Sequence, residues 1–557
     1  MRTIFLGLLL MTTMQAHAAW LYACAPGTEP DASGRFSSTI SRPDGSSVRI
    51  GVVEQRPTGA CSYRQLPFPL SSIDGIRPIN RQIADIATDR MLVTGSATAQ
   101  GFAISTVEPV SPATGSVRSA IPLGANLLPR MTLRPYGVEE RVQARMEEDK
   151  LVVTCIAGQK PAGVLLLQDW YIPRVNAHLL LQGSATAAFE LHASDAGQAA
   201  RESSTLIGRL DARDMQTWRR GMGDVQFDPQ TWRSFSIACP QGPGTLTLKS
   251  LQLQPEQRPI PDRATWIWNP SAWLDEPRAV LDLAERHAVR TLFISIPVRD
   301  GDVQYPDQLA SFIRLASSRH IRVWSVDGDA RMVLPDEHAA AVKRVTAYRA
   351  FNEGADPDAR LAGVQFDVEP YLLPGYDLAE EEWNNRYIAL VDQLKRAAGT
   401  IPIDMVVPYW WADRQKLMQA VATNVTSLTV MDYRTNADDI LRFGAPFLDW
   451  GKQFGKRVRI ALEAGPVDKE TVRHSTRAKE GQLSFVALGE TTVAVLTRDP
   501  HAALDGSAYM ITSSTELDGS ATSFNRNSAG LVSLLPMLEA RFSAWDSFGG
   551  MALHELK

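Results

Sequence analysis

Short apolar runs alternate with helix-like segments through the second half of the chain. Eight such runs stand at 265–268, 291–296, 321–326, 363–369, 403–407, 428–431, 458–462 and 550–553. Between the second and third runs, apolar residues recur at helical spacing at Leu309, Phe312, Ile313 and Ala316. Short apolar runs are typical of buried strands, and this spacing is typical of a helix with one buried face. The pattern therefore predicts repeated strand–helix units.

Eight strands that alternate with amphipathic helices predict a parallel sheet, and eight is the number at which such a sheet closes. The alternative is an open, doubly wound sheet, which would require a glycine-rich phosphate turn after the first strand. The sequence there is Asn-Pro-Ser-Ala at 269–272, which is not such a turn. We therefore expect a (β/α)8 TIM barrel over 259–557.

The first half has a different pattern, in which β-rich runs are separated by Gly, Pro, Asp and Ser. Clear examples stand at 47–50, 151–154, 177–181 and 245–248. This pattern is typical of β-sandwiches. A proline-broken stretch at 122–135 separates two parts, and we expect a small β-rich domain over 19–125 and a β-sandwich, similar to carbohydrate-binding domains, over 126–258. The predicted fold class is thus multidomain β + α/β. We expect the tryptophans of the sandwich to be buried: Trp170, Trp218 and Trp232.

The first 18 residues have the features of a signal peptide. Arg2 precedes an apolar run at 4–11, and the small-residue site Ala16-His17-Ala18 predicts cleavage before Ala19. Lipoprotein processing at Cys24 is the weaker alternative, because the apolar run ends well before that cysteine. No later stretch reaches about 18 apolar residues. We expect a periplasmic or secreted protein with no integral membrane segment in its mature chain.

The four cysteines predict disulfides, since cysteines of exported proteins usually pair. The simplest of the three connectivities joins Cys24 to Cys61 and Cys155 to Cys239, within the two predicted N-terminal domains. No C-x-x-C spacing indicates zinc or redox chemistry, and we expect neither a metal nor a cofactor. A net charge of −5 over 557 residues, with no basic cluster, argues against a nucleic-acid partner. We expect a monomer.

The fourth apolar run of the barrel carries the strongest candidate chemistry. Gln365, Asp367 and Glu369 are two residues apart, so all three point to one side of a strand, in steps of about 6.6 Å. Active sites of such barrels lie at the C-terminal ends of the strands. Two carboxylates forced together there raise one pKa, as a general acid requires. The alternative is a carboxylate paired with a buried arginine.

The same segment resembles the fourth-strand signature D-G-x-D-x-D-x-E of chitinase-type (family 18) glycoside hydrolases. Asp367 and Glu369 match its last two acids, whereas Ala362 and Gln365 replace the first two. Met431-Asp432-Tyr433 is similar to the family's M-x-Y, which makes Tyr433 the matching tyrosine. The resemblance covers about 263–557. It implies a retaining hydrolase in which Glu369 protonates the leaving oxygen and the substrate's N-acetyl group attacks, oriented by Asp367 and Tyr433.

Two further features bear on this resemblance. Gly549-Gly550 is similar to the family's glycine pair on the last strand, but His554 stands where a tryptophan floor is expected. In addition, Glu369-Pro370 is weakly similar to the N-E-P of the retaining β-glycosidase clan, whose nucleophile is a glutamate at the end of the seventh strand. Glu463 stands at that place, although Asp367 and Val368 do not reproduce the asparagine. Both resemblances make Glu369 the acid/base.

Several residues near the predicted strand ends are candidates for substrate binding. Asp327, like Asp329, either binds sugar hydroxyls or caps a helix. Of Tyr409, Trp410 and Trp411, which follow the fifth strand, we expect at least one to be exposed and to stack on sugar, since consecutive aromatic side chains cannot all enter a core. The full set of candidates is Gln365, Asp432, Trp410, Trp411, His554 and Asp327.

Two of these candidates have an alternative interpretation, as does a pair of tryptophans on the first barrel strand. We expect Asp432 to pair with Arg434 and so to orient the site. His554 is either a hydroxyl ligand or a satisfied buried histidine. Trp266 and Trp268 more simply fill the barrel.

These observations predict an exported glycoside hydrolase that acts on an extracellular or cell-envelope polysaccharide or oligosaccharide by acid/base catalysis with retention. The alternative is a non-catalytic glycan-binding barrel, since fold alone does not establish activity. A polysaccharide deacetylase or lyase is a third class. It would require a His/Asp metal cluster or a Tyr/Lys/Arg base set, and neither spacing is present.

Overall fold

The computed structural model describes residues 18–28, 35–42, 44–56, 61–79, 86, 88–110, 120–137, 139–167, 172–194, 204–221, 234–256, 258–373, 376, 379–489 and 491–556. The predicted signal peptide before Ala18, and two of the tryptophans expected to be buried, Trp170 and Trp232, lie outside the described residues. Within these ranges, no helix is both long and apolar enough to cross a membrane.

The N-terminal region consists of strands. They are β1 (Ala18–Cys24), β2 (Arg35–Ser41), β3 (Ser47–Val53), β4 (Ser62–Pro69), β5 (Ile73–Ile79), β6 (Arg90–Thr98) and β7 (Gly101–Pro109). The first four form an antiparallel sheet in the order β2-β3-β1-β4. The end of β1 is joined to the start of β4 by the disulfide Cys24–Cys61.

The next region forms two five-stranded antiparallel sheets. Its strands are β8 (Thr132–Gly137), β9 (Val142–Glu147), β10 (Lys150–Cys155), β11 (Ala162–Leu167), β12 (Ala177–Ala185), β13 (Phe189–Ser194), β14 (Ser204–Leu210), β15 (Arg213–Gly221), β16 (Ser234–Ala238) and β17 (Gly244–Pro255). The sheets have the orders β15-β12-β17-β10-β9 and β14-β13-β16-β11-β8, and both contribute side chains to one hydrophobic cluster. Trp218 is buried in it, as expected.

The second disulfide connects these two sheets. Cys155 ends β10 in one sheet, and Cys239 directly follows β16 in the other. Both disulfides therefore have the predicted pairing. Two disulfides fit a protein of the periplasm or the extracellular space.

The C-terminal region begins at residue 263. Its strands are β18 (Arg263–Ile267), β19 (Val289–Ser295), β20 (Val298–Arg299), β21 (Asp302–Val303), β22 (Arg322–Asp327), β23 (Val364–Phe366), β24 (Ile403–Pro408), β25 (Ser427–Met431), β26 (Arg457–Glu463), β27 (Glu470–Ala478), β28 (Glu480–Leu488), β29 (Thr491–Ala502), β30 (Asp505–Leu517) and β31 (Phe548–His554). A closed barrel forms in the order β18-β19-β22-β23-β24-β25-β26-β31, with every neighbouring pair parallel. Each predicted barrel strand is observed.

Helices occupy the connections between barrel strands. They are α1 (Pro270–Asp275), α2 (Pro277–Arg286), α3 (Pro306–Ser318), α4 (His338–Gly354), α5 (Glu380–Ala398), α6 (Gln415–Ala422), α7 (Ala437–Phe454) and α8 (Ser528–Phe542). Leu309, Phe312, Ile313 and Ala316 are the buried face of α3, as the spacing predicts. With its 31 strands, the described structure is mostly β.

An insertion of four strands between β26 and α8 was not predicted from the sequence. Strands β27–β30 leave the barrel and join strands of the N-terminal region in a seven-stranded sheet of order β5-β29-β28-β30-β27-β6-β7. Its two edges approach each other, since a side chain at Gly75 on β5 would collide with the carbonyl oxygen of Phe102 on β7. The N-terminal strands therefore depend on residues from inside the predicted barrel domain. The domain boundaries themselves stay predictions.

The two-sheet region also contacts the outer helices of the barrel. The backbone N–H of Arg174 donates to the buried Asp449 of α7 at 2.7 Å, and that of Asn176 donates to the carbonyl of Ala544 at 2.8 Å. The Trp545 indole N–H donates to the same Asp449 oxygen at 2.7 Å. This contact leaves the strand ends of the barrel that carry the candidate chemistry uninvolved.

Candidate active site

The fourth barrel strand, β23, directs its alternate side chains into the barrel. Gln365 is fully buried, and Asp367 and Glu369 follow at the C-terminal end of the strand, where both are half-buried. The backbone N–H of Asp367 still donates to the carbonyl of Asp327 at 2.8 Å, which continues the pairing with β22. The column predicted from the period of two therefore lies inside the barrel, with its carboxylates at the mouth.

A buried polar layer lies below the two carboxylates. The Gln365 side chain accepts from the Trp266 indole N–H at 2.6 Å and donates to Asp404 at 2.8 Å and to Thr429 at 3.3 Å. Asp404 also accepts from Thr429 at 2.8 Å and from Ser427. These contacts use both ends of the Gln365 amide, so Gln365 supports the site from beneath it and Trp266 fills the barrel, as expected.

Asp367 is a carboxyl group with a strongly raised pKa. Burial, followed by the charge of Glu369, raises its pKa to about 8, against a smaller opposing effect of His554. Within the described contacts, its Oδ1 is buried and has no hydrogen-bond partner. A buried oxygen without a donor is costly in its charged form. Asp367 is therefore predominantly protonated near neutral pH.

Glu369 accepts a hydrogen bond from the hydroxyl of Tyr371 on its Oε1. Burial raises the pKa of Glu369, while the Tyr371 hydrogen bond and His554 lower it by less. Pro370 begins a short 3-10 turn (Pro370–Leu372), and this turn brings Tyr371 back towards the carboxylate. Glu369 is thus a restrained carboxyl whose proton affinity is above that of a solvated glutamate.

Tyr433 is the second residue after β25 and belongs to the carboxylate cluster. Burial raises its pKa well above the ordinary value, and the charges of Asp367, Glu463 and Glu369 raise it further. Its ring stacks against His554, with centroids 6.1 Å apart. The phenol therefore stays protonated and can donate a hydrogen bond at the barrel mouth.

Glu463 ends β26 and is held by two donors. Its Oε1 accepts from the backbone N–H of Gly465 at 2.6 Å, and its Oε2 lies 2.8 Å from Nδ1 of His554. The Trp268 indole N–H donates to Nε2 of His554 at 3.1 Å. Because an indole N–H can only donate, these contacts assign the imidazole proton to Nδ1, directed at Glu463.

Opposing influences act on the charge of His554. Burial lowers its pKa, but the hydrogen bond and charge of Glu463 outweigh burial, so that the pKa is raised above the ordinary value. The Trp268 contact favours the neutral ring, because protonation at Nε2 would break it. His554 therefore has both ring nitrogens hydrogen-bonded, as a satisfied buried histidine would, but it also lies within the site.

The aromatic residues after β24 divide between surface and core. Trp410 has 43% of its surface exposed, as at least one was expected to be, and its ring meets that of Tyr371 at 5.1 Å. Trp411 is fully buried against Tyr387, with centroids 5.0 Å apart. The expectation that Trp411 stacks on substrate is corrected here, since a side chain in the core has no free face.

Asp327 lies inside the fold and is engaged by α4. Arg344 contacts its Oδ1, at 2.8 Å from Nε and 2.6 Å from a terminal nitrogen, and the Tyr348 hydroxyl donates to Oδ2 at 2.5 Å. Burial raises the pKa of Asp327 despite these partners. Asp329 caps a 3-10 turn by accepting from the N–H of Arg331 at 2.7 Å. The side chains of both residues are therefore engaged in structural contacts.

Asp432 directly follows β25 and is fully buried. Within the described part of the chain neither carboxylate oxygen has a hydrogen-bond partner, and the expected ion pair with Arg434 is not formed. Arg434 instead donates to the Tyr433 carbonyl at 2.7 Å and lies over the ring of Tyr409. Burial raises the pKa of Asp432 well above its usual value.

Three site residues were missed from the sequence. Tyr371 contacts Glu369, Trp268 contacts His554, and Asp404 supports Gln365. A tyrosine two residues after the acid was a usable signal for the first. Asp404 had none, because a lone aspartate inside an apolar strand acquires meaning only when the neighbouring strand is known. Within the described ranges, no group of three His, Cys, Asp or Glu side chains is placed to hold a metal ion.

No protein-family model matches the chain, and no curated protein matches it. Among solved structures, the spore cortex-lytic enzyme SleL of Bacillus cereus has 10% identity and a TM-score of 0.31, covering 56% of this chain and 74% of that chain. The Clostridium thermocellum xylanase 10B, as CBM22-1 and GH10 modules complexed with xylohexaose, has 8% identity and a TM-score of 0.26, covering 60% and 80%. A family 29 carbohydrate-binding module has 9% identity and a TM-score of 0.17, covering 22% and 76%. Because these TM-scores are below 0.5, we base no argument on them.

Replacing Asp327 with Ala separates a structural role from a substrate-binding one. The change leaves the Arg344 charge without its partner, so we expect the free energy of unfolding to fall by about 3 kcal/mol. The matched change Asp329→Ala removes only a cap and should cost about 1 kcal/mol. Urea denaturation measures both. A large rise in KM for Asp327→Ala with unchanged stability would contradict the structural role.

Proposed function

We propose that this protein is an exported glycoside hydrolase that cleaves an extracellular or cell-envelope polysaccharide with retention, on a (β/α)8 barrel with Glu369 as general acid. One observation carries the proposal. Glu369 and the half-buried Asp367 stand together at the barrel mouth, and burial raises the pKa of both. Burial and the neighbouring negative charge together allow such a pair to hold one proton near neutral pH. A general acid needs this property.

The proton of this pair would go to the leaving group. The single proton of the pair rests on Asp367 in the free protein and would move to Glu369 when substrate binds; as the glycosidic bond breaks, Glu369 donates that proton to the departing oxygen, and the Tyr371 hydroxyl stabilises the resulting carboxylate by its hydrogen bond. In the following half-reaction the same carboxylate accepts a proton from the attacking water. Tyr371 is therefore proposed to hold Glu369 in one orientation through both steps.

The group that attacks the sugar carbon is either the substrate's acetamido group or Glu463. We favour the substrate's own acetamido group, oriented by Asp367 and Tyr433. Asp367 has a buried oxygen without a donor within the described contacts, which an acetamido N–H would satisfy, and the phenol of Tyr433 is a donor beside it. Glu463 has both oxygens engaged, by Gly465 and His554, which suits a support better than a nucleophile.

Aromatic side chains supply a surface for the sugar. The exposed Trp410 contacts Tyr371, and Tyr371 contacts Glu369, so a sugar ring stacked on Trp410 would lie beside the acid. Trp268 directly follows β18, the first barrel strand, and donates to His554. We propose that Trp268 provides the aromatic floor that chitinase-type hydrolases have at the position of His554. Stacking of this kind positions a sugar ring without contributing to the chemistry.

Replacing Glu369 with Gln should abolish hydrolysis with little loss of sugar affinity. The amide has nearly the shape of the acid but cannot deliver a proton, and proton transfer contributes about 10²–10⁴ in rate. Turnover on a panel of bacterial and plant polysaccharides, with binding measured by calorimetry, tests this. Binding without turnover in both the parent and the variant would instead indicate a non-catalytic glycan-binding protein.

Comparing two alanine variants distinguishes the two mechanisms. Asp367→Ala should reduce kcat severely, by about 10²-fold or more, because the attacking group loses its orientation. Glu463→Ala should reduce it mildly, as expected of a residue that only positions His554. Incubation with a 2-fluoro sugar followed by mass spectrometry provides an independent check. A covalent adduct on Glu463 would reverse the ranking and indicate an ordinary hexose polymer as substrate.

The shared proton predicts a particular pH dependence. The pKa of Asp367 is raised to about 8, so kcat/KM should fall as pH rises through that value and the pair loses its last proton. In Asp367→Asn the neighbouring charge is absent, the pKa of Glu369 is lower, and the fall should begin at lower pH. Because the folded protein keeps on Asp367 a proton that the unfolded chain releases near pH 4, the parent's Tm should fall more than the variant's as pH rises from about 4 to about 8, and the difference should level off above that pH. Superimposable profiles would show that the carboxyls are not coupled.

A further inference from the structure

A cavity lies at the opposite end of the barrel from Glu369. Its volume is about 560 Å3, and it is lined by residues at the N-terminal ends of the barrel strands. Arg322 and Arg457 are the first residues of β22 and β26, and Asp262 directly precedes β18. The cavity is therefore separated from the carboxylate cluster by the polar layer around Gln365, and it takes no part in the proposed hydrolysis.

Two buried donors in the wall of this cavity have no acceptor within the described contacts. Arg459 has 7% of its surface exposed and its Nε is unpartnered, and Trp324 has 8% exposed and its indole N–H is unpartnered. Both residues line the cavity. A buried donor left without an acceptor costs about 1–3 kcal/mol. Two such donors in one wall therefore favour a ligand that supplies the acceptor.

The charges around the cavity are predominantly positive. Burial, with the charges of neighbouring arginines, lowers the pKa of both Arg457 and Arg459. Arg322 lies 3.4 Å from the exposed Asp262, and Arg457 donates to the carbonyl of Asp546 at 2.6 Å. No described ion pair involves Arg459.

Asp404 lies close enough to raise the pKa of Arg459, but it does not occupy the Arg459 donors. Its hydrogen bonds come from Ser427, Gln365 and Thr429. The walls therefore present three guanidinium groups, from Arg322, Arg457 and Arg459, against the single lining carboxylate of Asp262. An acceptor with negative charge would relieve both the repulsion and the unpartnered donors.

We propose that this cavity binds a small anionic molecule through a carboxylate or phosphate group that accepts from Arg459 and Trp324. A planar guanidinium matches the two oxygens of such a group, and Arg322 and Arg457 at the opening attract it. The cavity lies within the range of about 300–1,000 Å3 that is usual for small-molecule sites, so the anion is carried on a body of sugar size. The ligand class is an acidic sugar or a sugar phosphate.

Calorimetric titration of the full chain with four probes tests the proposal: glucuronate, glucose 6-phosphate, inorganic phosphate and uncharged glucose. We expect saturable binding of at least one oxyanion probe and none of glucose. Binding of glucuronate alone identifies a carboxylate ligand, and binding of the phosphates alone identifies a phosphate ligand. The absence of saturable binding for all three anions, or equal binding of glucose, would overturn the proposal.

Variants locate the site. Arg459→Gln should weaken binding by at least about tenfold, equivalent to 1.4 kcal/mol. Arg457 lies at the opening of the cavity, away from the buried layer, and Arg457→Gln should weaken binding several-fold. If Arg459→Gln does not fold, Arg457→Gln alone tests the site. The control is Arg299→Gln, whose side chain is 80% exposed, outside this cavity. Equal affinities in the control and in the folded cavity variants would place the anion elsewhere and reject the site.

Discussion

The site depends on one electrostatic constraint: two carboxyl groups on one strand of a closed barrel cannot both ionise cheaply. Closure of the eight-stranded sheet places Asp367 and Glu369 in a low-dielectric interior, two residues apart and on the same side. Each charge then raises the free energy of the other, because neither is well hydrated. Tyr371 donates a hydrogen bond to Glu369, and the charges of both carboxyl groups act on the neighbouring Tyr433.

The layer beneath the pair follows from the same constraint. A third carboxylate at position 365 would add another negative charge to the column, whereas Gln365 supplies a neutral amide that bonds Trp266 on one side and Asp404 on the other. Asp404 carries the acid at this depth, on the neighbouring strand, where Ser427 and Thr429 donate to it and Arg459 lies nearby. The interior thus grades from anionic at one end of the barrel to cationic at the other.

Local sequence pattern predicted the features that depend on local geometry. The eight barrel strands, the buried face of α3 and the alignment of Gln365 with Asp367 and Glu369 follow from periods of two and 3.6 residues. Features set by distant partners were not predictable. Trp411 is buried because Tyr387 of α5 covers it, and Asp327 is structural because Arg344 of α4 reaches it.

The seven-stranded sheet has a consequence for the order in which the protein forms. Asp74 on β5 pairs with Arg473 on β27 at 2.8 Å, although the two are 399 residues apart in the chain. At about 5–20 residues per second, ribosomal synthesis needs roughly 20–80 s to reach the second residue after the first. Throughout that interval β5, β6 and β7 lack four of the seven strands of their sheet, and their open edges can pair with other chains. A folding helper that shields these early strands would therefore matter more to this protein than one that acts on the finished barrel.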